Sequence, residues 1–181
     1  MSVDEKIFEF LKKQKSVKNA SLSGVKITKG QNKDGISLLY VRTDIFEKQL
    51  GLGINYSNNS TYYAFDMDGN YVGCVKVSVS NIISPTQVEM EYWANEEYKN
   101  KGNMTTLARD VISEIFENKV FDNLKVRDGI STSSIESIML DINPDNYASL
   151  AVARKLGFNE NGILNIIDYY KQLESQSSKK I

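Results

Sequence analysis

Residues 87–116 read QVEMEYWANEEYKNKGNMTTLARDVISEIF, and this stretch decides the fold. Gln87–Ala94 is predicted as a strand, and a helix follows after a short basic loop. The helix prediction depends on apolar side chains at i, i+3, i+4, i+7, i+8, i+11 and i+12, which line one face. These side chains are Met104, Leu107, Ala108, Val111, Ile112, Ile115 and Phe116. Such a helix is expected to pack on a sheet.

The loop Tyr98-Lys99-Asn100-Lys101-Gly102-Asn103-Met104 runs directly into the N-terminus of this helix. Free backbone amides, the positive end of the helix dipole and two lysines together suit an anionic phosphate group. The alternative is a solvated turn whose glycine relieves backbone strain. The sequence has no Walker motif, and Gly51-Leu52-Gly53 is followed by Tyr56 where a dinucleotide-binding loop needs a third glycine. One phosphate-binding candidate therefore remains.

The rest of the chain is predicted to place further helices and strands around this stretch. Capping-box spacing, helical and strand periodicity, and glycine or proline boundaries support the individual elements. The predicted elements are a helix from Ser2 to about Gln14, a helix over 34–50, hairpin strands over 61–65 and 71–79, a polar excursion over 120–134, a strand over 135–142, a helix with Asn143-Pro144 as N-cap and first residue that ends at Leu156, a strand over 163–170 and a flexible polar tail over 175–181. They predict an α/β (α+β) fold with one mixed sheet. We treat residues 1–174 as one domain, with a variable helical part over 1–60.

Composition limits the class of protein. The chain has 181 residues, 41% hydrophobic and 25% charged, which are values of a globular domain that can bury a core. A net charge of -1 with interleaved acids and bases gives no broad basic surface, so no nucleic acid partner is expected. No apolar run approaches the roughly 20 residues that span a bilayer, and the N-terminus is acidic. We therefore expect a cytoplasmic protein without a membrane partner.

The sequence contains no histidine and one cysteine, Cys74. Neither an intramolecular disulfide nor a Cys/His zinc site can be assembled, so metal-free chemistry is expected. Ser-His and Cys-His nucleophilic pairs are likewise excluded, which leaves carboxylates, tyrosines, hydroxyls, lysines, backbone amides and water for catalysis. Cys74 lies in a predicted strand, where a small buried hydrophobic role is expected.

Two spaced motifs resemble the GNAT superfamily of N-acyltransferases. They are Lys99-x-x-Gly102-x-Met104 before the amphipathic helix, and Asn146-x-x-Ser149 followed by Leu156-Gly157-Phe158. Residues 89–93, Glu-Met-Glu-Tyr-Trp, and Met104-Thr105 are similar to the branch with the ribosomal-protein N-terminal acetyltransferases. The resemblance covers about residues 62–171. It implies a mostly antiparallel sheet with helices on both faces and central parallel strands that splay around acetyl-CoA.

The resemblance also implies which residues bind the co-substrate. The loop amides would bind the pyrophosphate of acetyl-CoA, and the pantetheine arm would lie between the two parallel strands. The implied set is Tyr92, Trp93, Ala94, Lys99, Asn100, Lys101, Gly102, Asn103, Met104, Thr105, Asn143, Asn146, Ser149 and Ala153. For Asn146 the alternative is a residue that only belongs to the first turn of its helix.

The chain departs from the family pattern at three positions. Lys99 replaces arginine or glutamine but keeps a donor, and Met104 replaces glycine or alanine. Ala153 stands where many members carry a tyrosine that protonates the departing thiolate. The resemblance suggests Ser149, directly or through water, as the substitute acid, because Tyr147 lies too far round the helix.

The incoming amine must lose a proton before it attacks a thioester, so a carboxylate near the strand gap is required. Glu89 and Glu91 share a face of the predicted strand by period-two spacing, and either could be the base. The alternative is a pair of solvated carboxylates. Tyr92, Trp93 and Tyr169-Tyr170 could line an acceptor groove, although core packing is the commoner role of such residues.

The sequence thus predicts an N-acetyltransferase that moves an acetyl group from acetyl-CoA to a primary amine. The acceptor is either a protein N-terminal amine or a small amine such as a polyamine, amino acid or aminoglycoside. A non-catalytic acyl-CoA-binding regulatory module is the alternative from another class. Either a monomer or a homodimer is compatible with the sequence.

Overall fold

A computed structural model describes residues 1–14, 25–32, 34–50, 54–79, 86–99, 101–127 and 130–178. The helices are α1 (Val3–Lys12), α2 (Asn103–Phe116), α3 (Tyr147–Leu156) and α4 (Ile166–Ser178). The strands are β1 (Ile27–Lys29), β2 (Leu39–Leu50), β3 (Ile54–Phe65), β4 (Tyr71–Val79), β5 (Gln87–Ala94), β6 (Lys125–Arg127), β7 (Ile130–Ser131), β8 (Ser137–Leu140) and β9 (Ile163–Asn165). None of the helices in these ranges has the length and apolar composition that crossing a membrane requires.

The strands form one mixed sheet in the order β1-β2-β3-β4-β5-β8-β9, with β6 and β7 attached beside β3. Neighbouring strands are antiparallel except for β5 and β8, which are parallel. Because a parallel connection needs a crossover, α2 lies between β5 and β8 in the sequence. The predicted mostly antiparallel sheet with central parallel strands is confirmed.

Helices cover both faces of the sheet. Along β3, Tyr62 and Ala64 enter a large core shared with α2, α3 and α4, whereas Tyr63 and Phe65 enter a smaller core shared with α1. The alternation follows from the two-residue period of a strand. Burial on both faces fixes the register, since a slip of one residue would exchange the two cores.

Several sequence predictions are confirmed. β5 and α2 occupy the predicted residues, and every apolar side chain predicted for the inner face of α2 is buried. Ser2 caps α1 in a capping box with Glu5, and the predicted hairpin turns at Gly69. Gly157 ends α3 with a left-handed φ of 92°, as a glycine C-cap does.

The predicted second helix over 34–50 is wrong, because residues 39–50 form β2. β2 pairs with β3 along its whole length. Its inner residues are buried on both faces, with Tyr40 in the core beneath α2 and Val41 in the core beneath α1. A strand covered on both faces lacks the alternation that identifies a strand in sequence, so its apolar residues matched a helical period by coincidence.

Other bounds also differ from the predictions. β3 begins at Ile54 rather than at Thr61, and β8 covers Ser137–Leu140 rather than 135–142. The excursion over 120–134 contains β6 and β7 rather than only irregular chain. The final strand ends at Asn165, whose side chain accepts a hydrogen bond from the Asp168 amide at 2.8 Å, and α4 begins there. α4 continues through Ser178, so residues 175–178 are helical, while 179–181 lie outside the described residues.

Candidate active site

The parallel strands β5 and β8 separate midway along β5. They pair from Gln87 with Ser137 to Met90 with Leu140, and β5 beyond Met90 pairs only with β4. The Asp141 amide donates to the Met90 carbonyl at 3.4 Å, which is a main-chain hydrogen bond at the edge of the opening. Since main-chain groups of alternate strand residues face the same neighbour, the Tyr92 amide and carbonyl also face the gap.

A cavity of about 150 Å³ occupies this gap. Its lining comes from the end of β5, the residues after β8 and the first turn of α3. The lining residues are Glu91, Tyr92, Trp93, Leu140, Asp141, Ile142, Asn143, Asn146 and Ser149. Six of them are among the residues predicted from sequence for catalysis or co-substrate binding, although they come from distant parts of the chain.

The Gly102 loop forms an uncapped helix N-terminus. Gly102 is the N-cap of α2, has a φ of 81° and provides no side-chain cap. The first hydrogen bond of the helix joins the Thr106 amide to the Gly102 carbonyl at 3.1 Å. The preceding amides of residues 103–105 therefore lie in the first turn, where helix amides have no intrahelical acceptor. Such amides and the helix dipole favour an anion.

The side chains around this N-terminus differ in exposure. Lys99 is exposed and its Nζ lies 2.6 Å from Glu96 Oε1, an exposed ion pair of the kind that contributes little to stability. The Lys101 ammonium lies 5.7 Å from the centroid of the Tyr98 ring. Asn103 and Met104 are buried, Thr105 is half-buried, and the predicted loop residue Asn100 lies outside the described residues.

Asp66 anchors the loop to the β3–β4 turn. Its carboxylate accepts hydrogen bonds from the Tyr98 hydroxyl at 2.7 Å and from the amides of Asp68 and Asn70. Partial burial raises the pKa of Asp66, but these hydrogen bonds outweigh it and hold the pKa below the usual value. The position of the loop therefore depends on an ionised Asp66.

We expect Asp66 to stabilise the protein above about pH 4 and to lose that contribution as pH falls through its lowered folded-state pKa. Asp66→Asn should therefore be less stable than the parent at pH 7. The difference in thermal midpoint between the parent and the variant should shrink when both proteins are measured near pH 3. An equal difference in thermal midpoint at both pH values would contradict the stabilising role of the Asp66 charge.

Asn146 and Asn143 organise the chain that enters α3. Asn146, not Asn143, is the N-cap, and its Oδ1 accepts from the Ser149 amide at 3.1 Å. Asn143 Oδ1 accepts from the Asp145 amide at 3.0 Å and forms an Asx turn instead. The predicted helix start at Asn143-Pro144 is thus wrong by one turn. Both asparagines nevertheless line the gap cavity.

Tyr92 bridges the two walls of the gap. Its hydroxyl donates to the Ser149 carbonyl at 2.5 Å, which ties β5 to α3. Burial raises the pKa of Tyr92 to about 12, and hydrogen bonding at Ser149 opposes that rise only in part. The hydroxyl therefore stays protonated at neutral pH. Sequence reasoning did not predict this link, because no local pattern relates a strand residue to a helix 57 positions later.

The two candidate bases occupy different positions. Glu91 lines the gap cavity, whereas Glu89 stands in the part of β5 that is still paired with β8 and is absent from the cavity lining. Both are half-buried. Trp93 also lines the cavity and is 48% exposed, so it faces the opening rather than the core. The structure thus brings Glu91, but not Glu89, to the gap.

Other predicted residues lie away from the cavity. Ala153 is buried in the core beside Leu156, and Ala94 follows the cavity-lining part of β5 without joining it. Tyr169 is a core residue whose hydroxyl donates to Glu117 at 2.5 Å, so it does not line an acceptor groove. Cys74 packs against the core beneath α1, and burial raises the pKa of its thiol. A protonated thiol is a poor nucleophile.

The family model described as the acetyltransferase (GNAT) domain matches residues 8–159. The chain belongs to the GNAT acetyltransferase family, as the sequence motifs predicted. Members of this family use acetyl-CoA.

A solved structure with a TM-score of 0.50 agrees with the fold. A spermidine/spermine N-acetyltransferase, SpeG, from Vibrio cholerae is 16% identical, with 63% of this chain and 70% of that chain covered and a TM-score of 0.50. A GNAT-family acetyltransferase from Bacillus anthracis is 17% identical over 56% of this chain and 52% of that chain, with a TM-score of 0.44. The ribosomal-protein-S5-alanine acetyltransferase from Vibrio fischeri is 22% identical over 56% of this chain and 48% of that chain, with a TM-score of 0.45. The match to the Bacillus anthracis protein covers about half of that protein's length. No curated protein sequence matches the chain.

Proposed function

We propose that the protein transfers an acetyl group from acetyl-CoA to a primary amine in the gap between β5 and β8. The observation that supports this proposal most is the position of the gap cavity. It lies at the opening of the only parallel strand pair in the described sheet, and α2, which joins those two strands, begins at the uncapped Gly102 N-terminus. A phosphate site and a narrow channel in one βαβ unit fit a long co-substrate with a pyrophosphate and a thioester.

The residues present fit acetyl-CoA. The amides of residues 103–105, together with Lys99 and Lys101, would hold the pyrophosphate. The Tyr92 carbonyl, which faces the gap, would accept a hydrogen bond from an amide group of the pantetheine arm. When bound, acetyl-CoA supplies the acyl group as a thioester. No metal is required by this arrangement.

Glu91 is the group we assign to deprotonation of the incoming amine. Its side chain lines the cavity at the point where the strands separate. A carboxylate can accept the proton directly or through an ordered water. The Tyr92 amide, on the same strand segment, would donate to the negative charge that develops on the carbonyl oxygen. The base and the oxyanion donor thus come from adjacent residues of one rigid strand.

Ser149 is the group we assign to proton delivery at the departing sulfur. It lines the cavity and is half-buried, while its amide and carbonyl are held by Asn146 and Tyr92. These two hydrogen bonds fix the main chain but not the hydroxyl, which is left to donate directly or through water. Ala153 supplies no proton, which is why another donor is needed.

The acceptor is tested by measuring thiol release with acetyl-CoA across a panel of amines. The panel contains spermidine, free amino acids, an aminoglycoside and peptides with free N-terminal serine or alanine. Release with one class, together with a mass increase of one acetyl group on that acceptor, would establish the enzyme and its substrate class. Tight acetyl-CoA binding without release across the panel would overturn the proposal and favour a regulatory acyl-CoA-binding module.

A further inference from the structure

A second cavity, of about 260 Å³, lies between the sheet and the C-terminal half of α2. The sheet side comes from β1, β2 and β3, and the helix side comes from three residues of α2. The lining residues are Thr28, Lys29, Gly30, Gln31, Tyr40, Arg42, Tyr62, Asp110, Val111 and Glu114. None of them lines the gap cavity. This second cavity is called the α2 cavity below.

The two walls of the α2 cavity carry opposite charges. Lys29 and Arg42 belong to the sheet wall, and Asp110 and Glu114 belong to the helix wall. Asp110 and Glu114 are four residues apart on α2, so they share one face of the helix. The formal charges of the lining cancel. The cavity is therefore suited to a molecule that carries both an anionic and a cationic group.

The polar groups of the sheet wall are held in place. Arg42 Nε donates to Asp44 at 2.8 Å, and the guanidinium lies 5.2 Å from the centroid of the Phe121 ring. These contacts orient the guanidinium. Because a guanidinium has five N–H groups, others remain that can donate to a ligand. On the helix wall, the buried Asp110 accepts from the Tyr40 hydroxyl at 2.6 Å. A carboxylate has about four acceptor sites, so it can accept several hydrogen bonds at once.

Tyr62 supplies the observation that points to a ligand. Its side chain is 6% exposed and lines the α2 cavity, yet its hydroxyl makes no hydrogen bond of standard geometry among the described residues, although the Arg42 guanidinium lies close to it. A buried hydroxyl without a partner costs free energy, so such groups are rare unless a ligand or water satisfies them. Burial raises the pKa of Tyr62, and the nearby Arg42 charge opposes this only in part, so the hydroxyl remains a neutral donor and acceptor.

The α2 cavity is separate from the gap. β4 lies between β3 and β5 in the sheet, and its inner side chains, such as Val75 and Val77, are fully buried. Strands are about 4.8 Å apart, so β3 stands roughly 10 Å from β5 and farther from β8. A molecule in the α2 cavity therefore cannot be the amine that reacts in the gap.

We propose that the α2 cavity binds a small zwitterion of the free amino acid class. Its ammonium group contacts Asp110 and Glu114, its carboxylate contacts Arg42, and the Tyr62 hydroxyl completes the polar shell. The volume of the cavity suits a small amino acid. A water molecule takes about 30 Å³ of liquid, so the cavity has room for roughly nine non-hydrogen atoms that each take the volume of one water molecule. This binding is independent of the acetyl transfer proposed above.

A simple cation or a simple anion fits the α2 cavity less well. An amine without a carboxylate would place its charge near Arg42, whose Nε is held by Asp44, and would offer no anion to the remaining N–H groups of the guanidinium. An acid without an amine would lie beside Asp110 and Glu114 with the same sign of charge. Each case leaves one buried or half-buried charge facing a like charge, which lowers affinity.

The test is calorimetric titration of the free proteinogenic amino acids into the full-length protein, with and without excess CoA. For each amino acid that binds, the matched decarboxylated amine and the matched acid without its amino group are titrated too. We expect at least one amino acid to bind equally well with and without CoA. Each matched compound should bind about tenfold more weakly or worse, because one charge-assisted contact is lost.

Tyr62→Phe and Tyr63→Phe form a matched pair of variants. They make the same change at adjacent residues of β3, but Tyr63 faces the core beneath α1. Tyr62→Phe should weaken amino acid binding about tenfold. It should change the thermal midpoint of the ligand-free protein little, because its hydroxyl makes no hydrogen bond of standard geometry that could be lost. Tyr63→Phe should leave the amino acid affinity unchanged.

Three results would overturn the proposal. The first is that no free amino acid binds, in which case the α2 cavity holds water only. The second is that the matched amine or the matched acid binds as tightly as the zwitterion, which makes the site one for a single charge. The third is that Tyr62→Phe and Tyr63→Phe bind the amino acid with the same affinity, which places the ligand elsewhere.

Discussion

Gly102→Ala is expected to lower acetyl-CoA affinity at least tenfold, roughly the effect of losing one charge-assisted hydrogen bond. The φ of 81° at Gly102 is unfavourable for alanine by roughly 1–2 kcal/mol. The added Cβ would also lie 3.2 Å from Ile36 Cδ1. Relief of this strain moves the first amides of α2, which the proposal assigns to the pyrophosphate. Calorimetric titration of acetyl-CoA into the variant measures the loss.

Gly69→Ala is the matched control for this experiment. Gly69 has a φ of 88°, and an added Cβ would lie 3.1 Å from the Val3 carbonyl, so the strain is similar. Gly69 lies in the β3–β4 turn against α1 and is linked to the loop only indirectly, through the hydrogen bond between Asp66 and Tyr98, so Gly69→Ala should weaken acetyl-CoA binding less than Gly102→Ala. Both variants should lose about 2–4 °C of thermal midpoint per kcal/mol of strain. Equal acetyl-CoA affinities for the two variants would contradict a phosphate site at Gly102.

Glu91→Gln is expected to lower kcat about 100-fold or more while leaving acetyl-CoA affinity unchanged. General base catalysis contributes roughly 10²–10⁴-fold, and a glutamine cannot accept the proton of the attacking amine. The substitution keeps the size of the side chain, and Glu91 has no role in the proposed pyrophosphate site. Steady-state thiol release with the acceptor found in the panel measures kcat, and calorimetry measures the affinity.

Glu89→Gln is the matched control, because it makes the same change two residues earlier on the same face of β5. Glu89 lies beside the paired part of β8 and outside the cavity lining. Its kcat should stay within about threefold of the parent value, since it touches no reacting atom. A large loss for Glu89→Gln with little loss for Glu91→Gln would contradict the assignment of the base.

The elements that could be predicted from sequence are those whose pattern is local. α2 carries its apolar side chains on one face and begins after the exposed Gly102, so helical periodicity and Gly102 identify it. β2 could not be predicted, because Tyr40 and Val41 are buried against opposite helices and the strand shows no alternation. α4 has a partial local signal in Asn165, a residue type that favours helix N-caps, three positions before Asp168.

Residues of the candidate site can be predicted from sequence where they belong to spaced motifs. They cannot be predicted where their role depends on tertiary contacts. Gly102, Asn146 and Ser149 were identified from spaced motifs, and the structure places the last two in the gap lining. The choice between Glu89 and Glu91 required knowing where β5 leaves β8, which depends on pairing between distant segments. The α2 cavity depends on β2, the strand that sequence reasoning assigned to a helix, so it could not be foreseen.

The most direct test of the account is a crystal structure of the protein with CoA bound. We predict that the pyrophosphate accepts hydrogen bonds from the amides of residues 103–105 and that the pantetheine arm lies between β5 and β8, beside Glu91 and Ser149. CoA bound at another surface, with the gap between β5 and β8 occupied only by water, would contradict the account.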